Sequence, residues 1–193
     1  MLCMSNEMIS AKVEETGLPG VLTICLPAYT DHRGVFEPTW DSDMFQTLGI
    51  AFRPESAAHS YNIAEGTIRA FHYQSDPFAQ SKLVSCVSGR IWDVAVDLRR
   101  DSPGYLQWSA VELSAACGNS HFIPAGCAHG FLTLSDASTV AYLIEGPYRP
   151  EAAKTLRWND PALGVPWPIE EPILSIKDRN APLLGGPPQE ISE

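Results

Sequence analysis

The chain has 193 residues, with 13 Lys or Arg against 23 Asp or Glu and a net charge of −10. That length suits one domain with a sizeable core, and the acidic balance argues against nucleic acid or anionic membrane as the main partner while leaving room for a local basic pocket around a small anion. Five cysteines (Cys3, Cys25, Cys86, Cys117 and Cys127) are odd in number and show no CxxC spacing, which fits reduced thiols in a cytoplasmic protein rather than a disulfide framework.

Residues 1–18 are weakly patterned; they lack the basic and apolar regions of a targeting segment, and no run in the chain approaches the ~18 apolar residues of a membrane span. A soluble protein is expected. Val21 to Leu26 reads as a buried strand ended by Pro27, Asp31 to Gly34 as a turn, and Val35-Phe36 as the start of another strand. Asp41 to Leu48 has the form of a capped helical turn ending near Gly49. Strands are then predicted over 56–63, 67–74, 81–88, 90–98, 106–113, 120–123, 129–133 and 138–144, separated by turn residues such as Gly66, Gly89 and Ser135-Asp136. Strands of this length and spacing imply an antiparallel sandwich or barrel, with no βαβ rhythm. From Pro147 the chain turns to Pro-rich loops with a last ordered patch at Ile173 to Asp178, inside a single domain over 1–184; residues 185–193 read as a disordered tail.

Two stretches carry the chemistry. Gly66 to Gln74 and Gln80 to Gly89 put His72 and Lys82 on neighbouring strand-like runs joined by Ser75-Asp-Pro-Phe-Ala. A base and a cation brought together there can take a proton from the carbon beside a carbonyl and hold the enolate that forms. Strict alternation places Arg69 and His72 on opposite faces of their strand, so either one of them faces the site or a bulge re-aims the chain. A lone strand histidine also serves as an ordinary hydrogen-bonded residue, and a strand lysine as an edge guard. The second anchor is Phe122 to Phe131, whose Pro-x-Gly-x-x-His order makes a tight turn and delivers His129 to the next strand. It resembles the second motif of the cupins. The first cupin motif, a His-x-His pair with a later Glu, is represented only by His72-Tyr73-Gln74, and two histidines are a thin ligand set for a metal.

Taken in order, Asp31-x-Arg33-Gly-x-Phe36, Gly66-Thr-Ile-Arg69, His72-Tyr-Gln74, Lys82-Leu-Val, Asp93 to Arg99, Ile123 to His129-Gly-Phe, Tyr148-x-Pro150, Trp158-Asn-Asp-Pro, Trp167-Pro and Leu174-Ser-x-Lys-Asp178 resemble the dTDP-4-dehydrorhamnose 3,5-epimerases from about residue 18 to 184. The resemblance implies an all-β, cupin-type antiparallel β-sandwich (jelly roll) with short C-terminal helical and loop elements. It also implies a homodimer that exchanges an N-terminal strand and works without metal or cofactor on a nucleotide-linked 4-keto-6-deoxyhexose. Carried over by position, His72 matches the base, Asp178 its carboxylate partner, Lys82 the cation beside the C4 keto oxygen and Tyr148 the acid on the opposite sugar face. Arg33, Arg69, His129, Phe36, Gln74 and Lys177 match substrate-binding positions. Inversion needs deprotonation on one face and reprotonation on the other, which a base alone does not supply.

The departures lie where nucleotide or sugar is expected to bind. Glu37 follows Phe36 directly and Pro38 holds the usual acid position, Ser56 and Ala58 replace a Gln-x-Asn, and Ala70-Phe71 replace Gly-Leu. They bear on the substrate more than on the reaction. Inversion at one carbon only, another nucleotide, a non-catalytic sugar-nucleotide-binding cupin and a metal-dependent cupin are the competing readings.

Overall fold

The computed structural model describes residues 11–185; the tail expected over 185–193 lies, from residue 186 on, outside the described residues. Among the described residues thirteen strands and two short helices follow in the order β1 (Lys12–Glu15), β2 (Leu22–Cys25), β3 (Tyr29–Asp31), β4 (Gly34–Phe36), α1 (Ser42–Thr47), β5 (Ser56–Asn62), β6 (Ile68–Gln74), β7 (Ser81–Ser88), β8 (Arg90–Asp97), β9 (Trp108–Ser114), β10 (Asn119–Ile123), β11 (Cys127–Thr133), β12 (Ser138–Glu145), β13 (Ala153–Thr155) and α2 (Ile176–Arg179). Among the described residues no helix is long and apolar enough to cross a membrane.

Two antiparallel sheets stack face to face as a cupin-type β-sandwich. One runs β1-β2-β10-β7-β12-β5 and the other β13-β6-β11-β8-β9, while β3 and β4 form a separate hairpin. The strands expected from the alternating apolar runs are present within a residue or two of their predicted ends. β1 went unread because Lys-Val-Glu-Glu offers one apolar side chain; it exists through its ladder to β2. β13 is likewise three residues joined to β6 by backbone pairing inside the Pro-rich region.

Three apolar layers explain why several strands are rich in apolar residues on both faces. Between the sheets lie Val84, Cys86 and Val140 from one sheet against Ile91, Ala95, Leu113 and Phe131 from the other. The outer face of the first sheet is covered by α1, whose Phe45 packs with Ile24, Phe52, Leu83 and Phe122. Asp41 caps that helix by accepting the Met44 N–H at 2.8 Å. The outer face of the second sheet is covered by the Pro-rich loops, which set Leu156, Leu163 and Trp167 against Ile68, Phe71, Val94 and Leu132. Residues 156–174 thus act as a lid on one sheet, so the C-terminal segment ends close to β6.

Candidate active site

The site grows from an irregularity in β6. His72 pairs with His129 of β11, yet Arg69 pairs with Phe131, so three steps along β6 match two along β11 and β6 carries one extra residue. This is a β-bulge. Consecutive Ala70 and Phe71 both turn outward into the layer under the Pro-rich loops, and Arg69 and His72 on either side both line one inner cavity of about 340 Å³. The bulge outcome foreseen for this strand is the one observed. Gly130 lies opposite it, where an added Cβ would stand 3.0 Å from Ala70 Cα and 3.0 Å from the Phe71 ring. A side chain at 130 would collide with the bulge.

His72 Nε2 lies 2.7 Å from Asp178 Oδ1, across 106 positions of sequence. Backbone bonds bring the two together: Ile68 N–H donates to the Ile173 carbonyl and Ile173 N–H to the Gly66 carbonyl, which stitches the C-terminal segment to the start of β6. Ser175 then caps the single turn α2 by accepting the Asp178 N–H at 3.0 Å. The Asp178 carboxylate is almost entirely buried while the His72 ring keeps a face open to the cavity. A buried carboxylate on one ring nitrogen fixes the orientation of the imidazole.

Lys82 reaches the cavity from the opposite sheet. It shares the inner face of β7 with Val84 and Cys86, and its Nζ donates to the His72 carbonyl at 3.4 Å. Burial pulls its pKa from 10.5 down to about 8, a fall that the charge of Asp93 partly opposes. Arg69, which lines the same cavity, donates its Nε–H to Asn62 Oδ1 at 2.8 Å. Tyr148, 67% exposed, and Lys177 complete the wall.

Three expected substrate contacts lie elsewhere in this chain. Arg33 and Phe36 sit on the β3–β4 hairpin, where Arg33 forks onto Asp31 and Phe36 is 72% exposed, outside the lining of the His72 cavity. His129 is buried and points between the sheets, its Nε2 at 2.7 Å from Asp93 Oδ1. Gln74 does line the cavity, but it is only 6% exposed and its amide bonds to backbone groups.

Asp93 was not singled out as a site residue. It is fully buried on β8 and takes hydrogen bonds from both His121 Nδ1, at 2.8 Å, and His129 Nε2. Burial by itself would raise its pKa, but the two imidazoles outweigh that and hold it below the ordinary carboxylate value. An acid in the middle of the apolar run Ile91 to Val96 was the available signal.

A two-sheeted jelly roll with a histidine–carboxylate pair, a buried lysine and a tyrosine around one cavity defines the class, a cupin-type β-sandwich. Its sequence places it further: the family model for dTDP-4-dehydrorhamnose 3,5-epimerase matches residues 15–185, and the chain belongs to that family of isomerases. It is 41% identical over 169 residues to dTDP-4-dehydrorhamnose 3,5-epimerase of Methanothermobacter thermautotrophicus, covering 86% of this chain and 90% of that one. The crystal structure of dTDP-4-dehydrorhamnose 3,5-epimerase from Bacillus anthracis with TDP and PPi bound superposes with a TM-score of 0.88 at 39% identity, over 91% of this chain and 100% of the other. A relative from Streptomyces niveus, named dTDP-4-dehydrorhamnose 3-epimerase, is 34% identical over 90% of this chain and 84% of its own.

Proposed function

We propose that the protein inverts C3 and C5 of a dTDP-linked 4-keto-6-deoxyhexose through enolates. The observation that carries this reading is the meeting of the His72–Asp178 pair with Lys82 in one cavity that Tyr148 also lines. His72 takes the proton from the carbon beside the C4 ketone, and Asp178 orients the ring and balances the imidazolium. The Lys82 ammonium meets the negative charge that develops on the ketone oxygen. Tyr148 returns a proton from the opposite face, and Arg69 and Lys177 supply positive charge for the anionic nucleotide. Incubation with dTDP-4-keto-6-deoxyglucose in deuterated water, read by NMR, is the test. Deuterium at both C3 and C5 with inverted products supports the reading, inversion and label confined to C3 moves the chain to the activity named for the Streptomyces niveus relative, and no exchange at either carbon refutes it.

Lys82 gives a pH signature. With a folded pKa of about 8, it is an ammonium below that value and a neutral amine above it, so turnover is expected to fall as pH rises past about 8. Stability moves the other way. Between about 8 and 10.5 the unfolded chain binds more protons at this residue than the folded one, so stability rises with pH through that window as the unfavourable buried charge is lost. Lys82→Met removes this contribution. Identical pH dependence of the unfolding midpoint in wild type and Lys82→Met would rule the assignment out.

The assembly we propose is a homodimer. Within the chain β2 is paired on both sides, by β1 and β10, so the free arm is the β3–β4 hairpin, with Tyr29, Val35 and Phe36 exposed. Among the described residues β5 ends its sheet with an unpaired edge that lacks lysine or proline, the usual devices against pairing with another chain. The hairpin of one copy laid along β5 of the other would cover both, and would carry Arg33 and Phe36 toward the second copy's cavity. Light scattering should give twice the chain mass at micromolar concentration; a one-chain mass throughout that range excludes the arrangement.

A further inference from the structure

Thr155 lines the His72 cavity and has no part in the proposed mechanism. It stands directly opposite His72 in the ladder between β13 and β6. The neighbouring pair, Phe71 and Leu156, exchanges both backbone hydrogen bonds, at 2.8 and 2.9 Å. His72 and Thr155 therefore form a non-hydrogen-bonded pair, the kind whose side chains stand closest across a ladder. Phe71 and Leu156 turn outward under the Pro-rich loops, and alternation sends the Thr155 side chain inward, beside the imidazole. Among the described residues its hydroxyl oxygen is buried and has no hydrogen-bond partner. A hydroxyl shielded from water in that way is costly unless something bonds it.

We propose that Thr155 is a specificity-determining residue whose hydroxyl is reserved for a sugar hydroxyl, at C2 or C3, on the His72 side of the substrate. The inference rests on the reading of the cavity as a 4-ketosugar site. What the rest of the wall offers identifies the partner. Arg69, Lys82, Lys154 and Lys177 are cations that only donate, suited to the ketone oxygen and the diphosphate. Gln74 has its amide committed to backbone groups, and Asp178 gives one oxygen to His72. A sugar hydroxyl both donates and accepts, and a neutral group that does the same is its match. Thr155 is such a group beside the base. Of the two carbons flanking the ketone, C5 carries the methyl group and the ring oxygen, whereas C3 carries a hydroxyl and adjoins another at C2. A threonine next to His72 therefore meets that hydroxylated side of the ring when the C3 proton is taken. Rotation about χ1 turns its hydroxyl from the wall toward the ligand.

The test compares wild type, Thr155→Val and Thr155→Ser on dTDP-4-keto-6-deoxyglucose and on its 2-deoxy and 3-deoxy analogues. The readout is deuterium exchange at C5, a carbon that all these sugars share and that bears no hydroxyl. Wild type should favour the parent sugar over one of the analogues by about tenfold in kcat/KM. Valine keeps the β-branched shape and deletes the hydroxyl. Thr155→Val should therefore lose about tenfold on the parent and little on that analogue, bringing the preference close to one, while Thr155→Ser should retain it. Equal losses on every sugar in Thr155→Val, the mark of a purely structural role, overturn the proposal. So does a wild type that handles both analogues as well as the parent, a result that needs no variant and holds even if Thr155→Val fails to fold. Absence of wild-type exchange on the parent at either C3 or C5 removes the 4-ketosugar reading, and the inference with it. Exchange on the parent with preferences that Thr155→Val leaves unchanged removes the inference alone.

Discussion

His72→Asn should abolish both deuterium uptake and inversion, lowering each by about 10²-fold or more, the usual contribution of a positioned general base. Asparagine retains a polar group near Asp178 but has no nitrogen that accepts a proton near neutral pH. The bulge, Arg69 and Lys82 do not depend on the ring, so binding of the nucleotide should survive and thermal stability should change little. The loss then appears in turnover rather than in affinity. Asp178→Asn is the companion measurement: it leaves the imidazole but replaces its 2.7 Å charged partner with a neutral amide, and should lower exchange and inversion together by a smaller factor. Deuterium uptake that persists at the wild-type rate in His72→Asn would mean that another group removes the proton.

Tyr148→Phe is expected to part the two processes that His72→Asn abolishes together. It removes one hydroxyl from an exposed ring and leaves His72, Asp178 and Lys82 untouched, so the enolate should still form and the proton on the His72 face should still exchange. Return of a proton to the other face has lost its donor, and inverted product should drop by about 10²-fold or more against a much smaller change in exchange. NMR of substrate incubated in deuterated water measures both on one sample. If Tyr148→Phe lowers exchange and inversion in equal proportion, or changes neither, the tyrosine is not the opposing acid.

How far the sequence reached is clearest at β6. The run Ile68 to Gln74 was legible as a strand, and simple alternation stated the difficulty with Arg69 and His72 correctly. The bulge itself was not legible, because it follows from how β6 is matched against β11, and the side chain it requires to be absent, at Gly130, lies about sixty residues away in the chain. Lys82 shows the same division. Its inward face could be read from Val84 and Cys86, but its lowered pKa depends on depth in the sandwich and on Asp93 from the facing sheet. Arg33 and Phe36 show the opposite case, residues marked by their motif that the fold of one chain leaves on an exposed hairpin.

The sequence by itself determined the antiparallel strands, the turns between them and the residue types around a proton-transfer site, because these rest on period-two alternation, on glycine and proline, and on chemistry that each side chain carries alone. Residue patterning alone did not decide that Asp178 meets His72, a pairing expected only through the family resemblance, nor that Gln74 holds the peptides on both sides of Tyr148 or that Asp93 anchors His121 and His129 inside the sandwich; the tertiary structure decided these. Each of these is a hydrogen bond between partners 28 to 106 positions apart. Such pairs leave no local period to read; they form because a buried polar group without a partner is costly, and the packing of the two sheets settles which partner lies within reach.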